Sequence, residues 1–209
     1  MALIHRATLS PTKLELLASW LPGRGWNPGT EGEVTWVAAF RFDDPAGAVG
    51  IETALVRVGD GPVLQVPLTY RDAPLAGADE WLLGTSEHSV LGTRWCYDAI
   101  GDPVYAAALA DAILRGTGQA EQFVDVDGRL ERREPAMAVA VEPPGTADAP
   151  EAGPVERAAD GDPAIVVTPT VELAVRRRLD TTDRLTGALL TGAWPGQGTP
   201  VPLASATVR

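Results

Sequence analysis

The chain is poor in the residues that carry most enzyme chemistry. It has one cysteine, Cys96, so no disulfide can close within it and no CxxC metal pair exists, a usage that fits a reducing compartment. It has two histidines, His5 and His88, and one lysine, Lys13, the other sixteen basic residues being arginine. A mechanism that needs a lysine ammonium therefore has a single candidate. No stretch approaches the ~18 apolar residues of a membrane span. The opening MALIHRATLS lacks the apolar run of a signal peptide, so cytoplasm is the expected compartment and a membrane is not an expected partner. Basic residues are in deficit, 17 against 28 acidic for a net charge of −11, which argues against a phosphate backbone as main partner.

What is abundant is glycine (22) and proline (18), about 19% of 209 residues against a usual ~12%. Many turns and short elements follow, in a chain long enough for a substantial core. Ser10-Pro11 reads as an N-cap followed by proline at the first helical position, opening a helix to about Leu21 with Leu14, Leu17 and Leu21 on one face, widened by Leu16 and Trp20. From Val34 to Phe42 apolar residues alternate, placing Val34, Trp36, Ala38, Phe40 and Phe42 together. IETALVRV follows, and Asp60-Gly61 turns into PVLQVPLTY, giving a three-stranded antiparallel meander. Pro67 predicts an edge or a bulge in the third strand.

Ser86, Glu87, His88 and Ser89 read as a polar turn between two extended pieces. Asp102-Pro103 repeats the cap signal before a second helix to about Arg115, with Val104, Ala108, Leu109, Ala112 and Ile113 forming its apolar stripe. Beyond it, two strands flank a turn at Asp127-Gly128. The segment 143–163 is rich in proline, glycine and acid and predicts a mobile loop. AIVVTP, VELAVRRRL, TGALLTGAW and PVPLASATV supply four more strands. The fold class is α+β, mostly antiparallel sheet with two short-to-medium helices.

Chemistry is sparse in the pattern. Neither GxxxxGK[ST] nor GxGxxG is present, and Gly59-Asp60-Gly61 and Gly116-Thr117-Gly118 read as turns. GTSEH is not a GxSxG elbow, and His88, Cys96, Glu87 and Asp98 offer too few nitrogen and sulfur ligands for zinc. No catalytic, cofactor or metal residue is assigned. The densest cluster is Arg94-Trp95-Cys96-Tyr97-Asp98. A guanidinium and a carboxylate beside two rings suit a polyhydroxyl ligand, so His88, Arg94, Trp95, Tyr97 and Asp98 are the candidate ligand or partner contacts. The simpler reading is a buried aromatic pair, Trp95 and Tyr97, with Arg94 and Asp98 paired on the strand surface. Arg176 to Arg178 read as a solvated edge, with phosphate binding as the rival.

The segments ATLSPTKLELLASWLPGRGW, FRFDDPAGAVGIETALVRV, GDGPVLQVPLTYRDAPLAGA and HSVLGTRWCYDAIGDPVYAAAL resemble the maltokinase N-terminal cap domain, found in small bacterial proteins and at the front of maltokinases and related aminosugar kinases. The resemblance implies a cap-like α+β domain at 1–120 and a β-rich part at 121–209 like a kinase N-terminal lobe, without the helical lobe. The kinases carry a phosphate-binding lysine on a strand close to I-L-K-V-F-R-R. Its match here is VELAVRRRLD, with Ala174 at the lysine position, and no catalytic loop or metal-binding segment follows. The expected function is a non-catalytic, stand-alone accessory or binding module for a sugar kinase or related carbohydrate enzyme, with a separately encoded enzyme or a second copy of the chain as partner and no cofactor. The alternatives are a Mg·ATP-binding kinase relative using Lys13 or Arg176–Arg178, and a sugar carrier whose pocket lies between the two β-rich halves beside Trp95, Tyr97 and Asp98.

Overall fold

The computed structural model describes residues 2–4, 7–126 and 129–209, with backbone alone for 2–4, 125 and 126. His5 and the expected Asp127-Gly128 turn lie outside the described residues. The fold is α+β and mostly antiparallel. Its strands are β1 (Ala2–Ile4), β2 (Leu9–Ser10), β3 (Val34–Phe42), β4 (Gly50–Val58), β5 (Val63–Arg71), β6 (Leu82–His88), β7 (Gly92–Asp98), β8 (Gln122–Val126), β9 (Arg129–Arg133), β10 (Ala138–Glu142), β11 (Arg157–Ala159), β12 (Ala164–Val167), β13 (Val171–Val175), β14 (Ala188–Trp194) and β15 (Gln197–Val208). Helix α1 spans Lys13–Trp20 and α2 spans Pro103–Ala110, the latter continued by a π-helical turn at Asp111–Arg115.

Two six-stranded sheets dominate, one ordered β2-β6-β7-β5-β4-β3 and the other β10-β14-β15-β13-β12-β11. The small third sheet, β1-β8-β9, joins β1 to β8 in parallel. The larger core draws Phe40, Phe42, Ile51 and Leu55 from the first sheet, Tyr105, Leu109 and Ile113 from the α2 segment, and Val166, Leu173, Val175 and Leu190 from the second. Both halves of the chain thus share one interior. The opposite face of the first sheet presents Ala54, Val56, Val66 and Leu68 to Leu17, Trp20 and Leu21 at the α1 end and to Trp26.

Helix α2 begins where expected, with the Asp102 carboxylate accepting from Val104 N–H at 2.9 Å and Pro103 at the first position. It ends at Gly116, whose φ of 71° is left-handed and suits glycine. The cap of α1 is Thr12 and not Ser10-Pro11. Its hydroxyl accepts from Glu15 N–H at 3.2 Å while the Glu15 carboxylate accepts from Thr12 N–H at 2.6 Å, so each residue satisfies the other's free backbone N–H at the start of the helix.

Other expectations are corrected. Val34 and Trp36 do not share the face of Ala38, Phe40 and Phe42; Val34 packs in the core on the opposite face of the sheet. The register shifts between Trp36 and Ala38, and this bulge turns Trp36 to the other side of edge strand β3, where it is 38% exposed. Strand β5 is central, lying between β4 and β7 despite Pro67. Its ladder with β7 starts only at Leu68, and on the same side Val63 to Gln65 meet the chain at Arg177 to Leu179. Pro67 falls between these two pairings, where no partner needs its missing N–H. Ser86, Glu87 and His88 belong to strand β6, and the hairpin turn is at 89–91. The described residues of 122–142 form three strands, not two.

The segment 143–163 is not a structureless excursion. It contains β11, buries Ala152, and is tied by Thr146 N–H to Leu114 O at 2.7 Å and by Arg115 Nη2 to Ala149 O at 3.0 Å. Composition understated it because its anchors are backbone groups and two aspartates, Asp160, which accepts from Trp26 Nε1, and Asp162, which accepts from Arg177 N–H, rather than large apolar side chains. Among the described residues, no helix is long and apolar enough to cross a membrane.

Candidate functional site

The most concentrated chemistry gathers around Glu52. The register of β3 on β4 sets Arg41 opposite Glu52, an opposite-charge pair on adjacent strands. The capped start of α1 places Lys13 beside them, and β5 adds Tyr70. Glu52 Oε1 accepts from Arg41 Nη2 at 2.6 Å, and Oε2 accepts from the Tyr70 hydroxyl at 2.8 Å and from Lys13 Nζ. The Lys13 ammonium also lies 4.9 Å from the centre of the Tyr70 ring. Burial by itself would raise the Glu52 pKa, but the Lys13 and Arg41 charges and the hydrogen bonds from Lys13 and Tyr70 outweigh it and hold the carboxyl at about 2. Tyr70 moves well upward, through burial first and the Glu52 charge second.

Lys13, Arg41 and Tyr70 line an open cleft of about 460 Å³. One wall is the loop 43–49, shaped by the Asp44 carboxylate, which accepts from the N–H groups of Ala46, Ala48 and Val49 at 3.0, 2.9 and 2.9 Å. The other wall is the β6–β7 hairpin, which supplies two of the residues singled out from sequence. His88 Nδ1 accepts from Val90 and Leu91 N–H, fastening the turn, and Arg94 Nη2 donates to Leu91 O at 2.7 Å. Both residues face the cleft.

The remaining candidates stand elsewhere. Trp95 is half-buried, whereas Tyr97 is buried with its hydroxyl accepting from Leu75 N–H at 2.9 Å. The expected Arg94–Asp98 pair is absent, because residues four apart on a strand are separated by about 13 Å. Asp98 is instead fully buried against Arg177, whose Nη2 donates to Asp98 Oδ2 at 2.5 Å and to Asp160 Oδ1 at 3.3 Å. The Arg177 guanidinium also lies 4.9 Å from the centre of the Trp26 ring, and Trp26 Nε1 donates to the same Asp160 oxygen at 2.8 Å. Burial raises the Asp98 pKa, and the Arg177 charge and hydrogen bond act in the other direction.

The arginine run is therefore not a solvated edge. Arg176 donates to the carbonyls of Thr181 and Asp183, Arg177 is buried, and only Arg178 reaches outward, to Asp180 at 3.0 Å. Ala174 sits within β13, opposite Ile165 on one side and Ser205 on the other. Cys96 is buried, and desolvation above all pushes its thiol up to about 12. Among the described residues no group of three or more histidine, cysteine, aspartate or glutamate side chains is placed to hold a metal ion.

Sequence reasoning missed Lys13 as a partner of Glu52, and missed Arg41, Glu52 and Tyr70 altogether. The available signal was Glu52 itself, a carboxylate inside a strand buried on both faces, which must find a cation. Its partners come from three separate elements, so no spacing reveals them.

Residues 20–102 match the family model of the maltokinase N-terminal cap domain. The matched stretch takes in β3 to β7, and with them Arg41, Glu52, Tyr70, His88 and Arg94, while Lys13 precedes it. No curated protein matches the chain.

Proposed function

With a maltokinase N-terminal cap domain as the premise, we propose that the chain is a binding module of carbohydrate metabolism, an accessory to a sugar kinase or related enzyme and not itself a phosphotransferase. The observation that carries this reading is the engagement of its cations. Phosphoryl transfer works by aiming lysine, metal ions and a base at the transferring group. Here Arg177 is closed in against Asp98, Arg178 is held by Asp180 and Arg176 by two backbone carbonyls. Ala174 adds only a methyl group where the related kinases place their lysine.

A surface for a partner adjoins the cleft. The β6–β7 turn exposes Val90 and Leu91 side by side, held in position by His88. Sedimentation velocity of the full chain mixed with a purified maltokinase tests the reading. A complex weakened by Val90→Asp supports it, and independent sedimentation of the two proteins at tens of micromolar, roughly the weak end of specific association, counts against it.

A further inference from the structure

The cleft over Glu52 has a size and a charge pattern that select among ligands. About 460 Å³ falls within the ~300–1,000 Å³ usual for small-molecule sites. Lys13, Arg41 and Arg94 are set against Asp43 and Asp44 on the loop and Glu52 behind Lys13 and Arg41, so cations and carboxylates balance. An anionic ligand needs cations in excess, and two of the three here already neutralise Glu52. A hydroxyl group both donates and accepts, and suits a wall that offers both ammonium and guanidinium N–H groups and carboxylate and phenol oxygens. Leu9, Leu91 and the Tyr70 ring add apolar surface against which a saturated ring can lie.

We infer that this cleft binds an uncharged, polyhydroxylated ring compound of mono- to disaccharide size, between the 43–49 loop and the β6–β7 hairpin, with Arg94 and Lys13 among its donors. The inference rests on the reading of the chain as a binding module and names the ligand class of that module. Ala48 stands exposed on the loop wall and makes no side-chain contribution to the Glu52 network, so a larger side chain there takes up space in the cleft.

Two-dimensional ¹H–¹⁵N NMR of the full chain, titrated separately with glucose, maltose, glucose 6-phosphate and Mg·ATP, provides the test. At least one neutral sugar is expected to shift the amides of Lys13, Ala46, Ala48, Val49 and Tyr70 saturably, with Kd of about 1 mM or below. Glucose 6-phosphate should bind more weakly than that sugar. Ala48→Trp should abolish the shifts at an unaltered Tm, and Arg94→Gln should weaken binding about tenfold. The inference is overturned by flat titrations with both neutral sugars, by tighter binding of the phosphate ester, or by shifts that persist unchanged in both variants. If the sugars fail while a maltokinase still binds, the ligand class falls and the binding-module reading stands. Saturable binding of Mg·ATP at these amides overturns both.

Discussion

Arg177 and Asp98 are both entirely out of solvent and meet at 2.5 Å, although 79 positions separate them in the chain. Asp98 ends β7 of the first sheet, and Arg177 follows β13 of the second. Their contact, with Asp160 and Trp26 around it, joins the first sheet to the second at a point where the two also exchange backbone bonds, Gln65 N–H donating to Arg177 O at 2.7 Å.

Removing one member of such a pair leaves the other charge buried without compensation, which costs about 3–5 kcal/mol. Arg177→Met should therefore lower the urea midpoint sharply. The double variant Arg177→Met with Asp98→Asn should be more stable than Arg177→Met alone, because the stranded carboxylate is gone. Urea unfolding of both variants checks this. Equal stability of the two would show that the pair contributes no coupling.

The Glu52 network sets the acid limit of stability. A carboxylate whose folded pKa is depressed stabilises the fold above its unfolded value, and that contribution disappears as pH falls through the folded value. For Glu52 the window runs from about 4.5 down to about 2. The contribution is on the order of 3 kcal/mol for this buried group. Glu52→Gln should flatten the loss of stability across that window and lower Tm at pH 7. Thermal unfolding from pH 7 to pH 2 measures both effects, and an unchanged acid profile in the variant would remove Glu52 from this role.

Cys96 should be inert in the folded chain. Its thiol is buried and held at about 12, so almost none is thiolate at neutral pH. Ellman's reagent should react only as fast as the protein opens, and stoichiometrically in denaturant. Rapid reaction of the native protein would contradict the packing described for β7.

Deleting 146–160 and closing the gap with a short Gly/Ser linker should be severely destabilising. The deletion removes β11, the buried Ala152 and the Asp160 carboxylate that bonds both Trp26 and Arg177. With roughly 2–4 °C lost per kcal/mol in a chain of this size, Tm should fall by more than about 10 °C. A loss of only a few degrees would restore the composition-based view of the segment as a dispensable loop.

How far the sequence disclosed this structure depended on whether a signal was local. The Asp102-Pro103 cap, the Asp60-Gly61 turn and the alternation in β3 and β5 are local, and the helix, the turn and the strands followed from them. A one-residue bulge was enough to defeat the periodicity at Trp36, since a shift of one reverses the face of a strand. Pro67 misled because edge strands are only one way to leave an N–H unneeded. Three adjacent arginines read as solvent-facing until a carboxylate 79 residues away and an indole ring enclosed the middle one. At the cleft, His88 and Arg94 were legible as a polar pair near a turn, but their association with Lys13, Arg41 and Tyr70 depends on strand register and helix placement, which pattern alone does not supply.

Isothermal titration of the full chain with Mg·ATP, followed by a phosphoryl-transfer assay with maltose and glucosamine as acceptors, tests most directly the claim that this cap-bearing protein binds and does not catalyse. The account predicts no saturable heat and no phosphorylated sugar, because all three residues of the Arg176–Arg178 run are held by groups of the protein itself. Saturable heat abolished by Lys13→Met, or transfer of phosphate to either sugar, would contradict it.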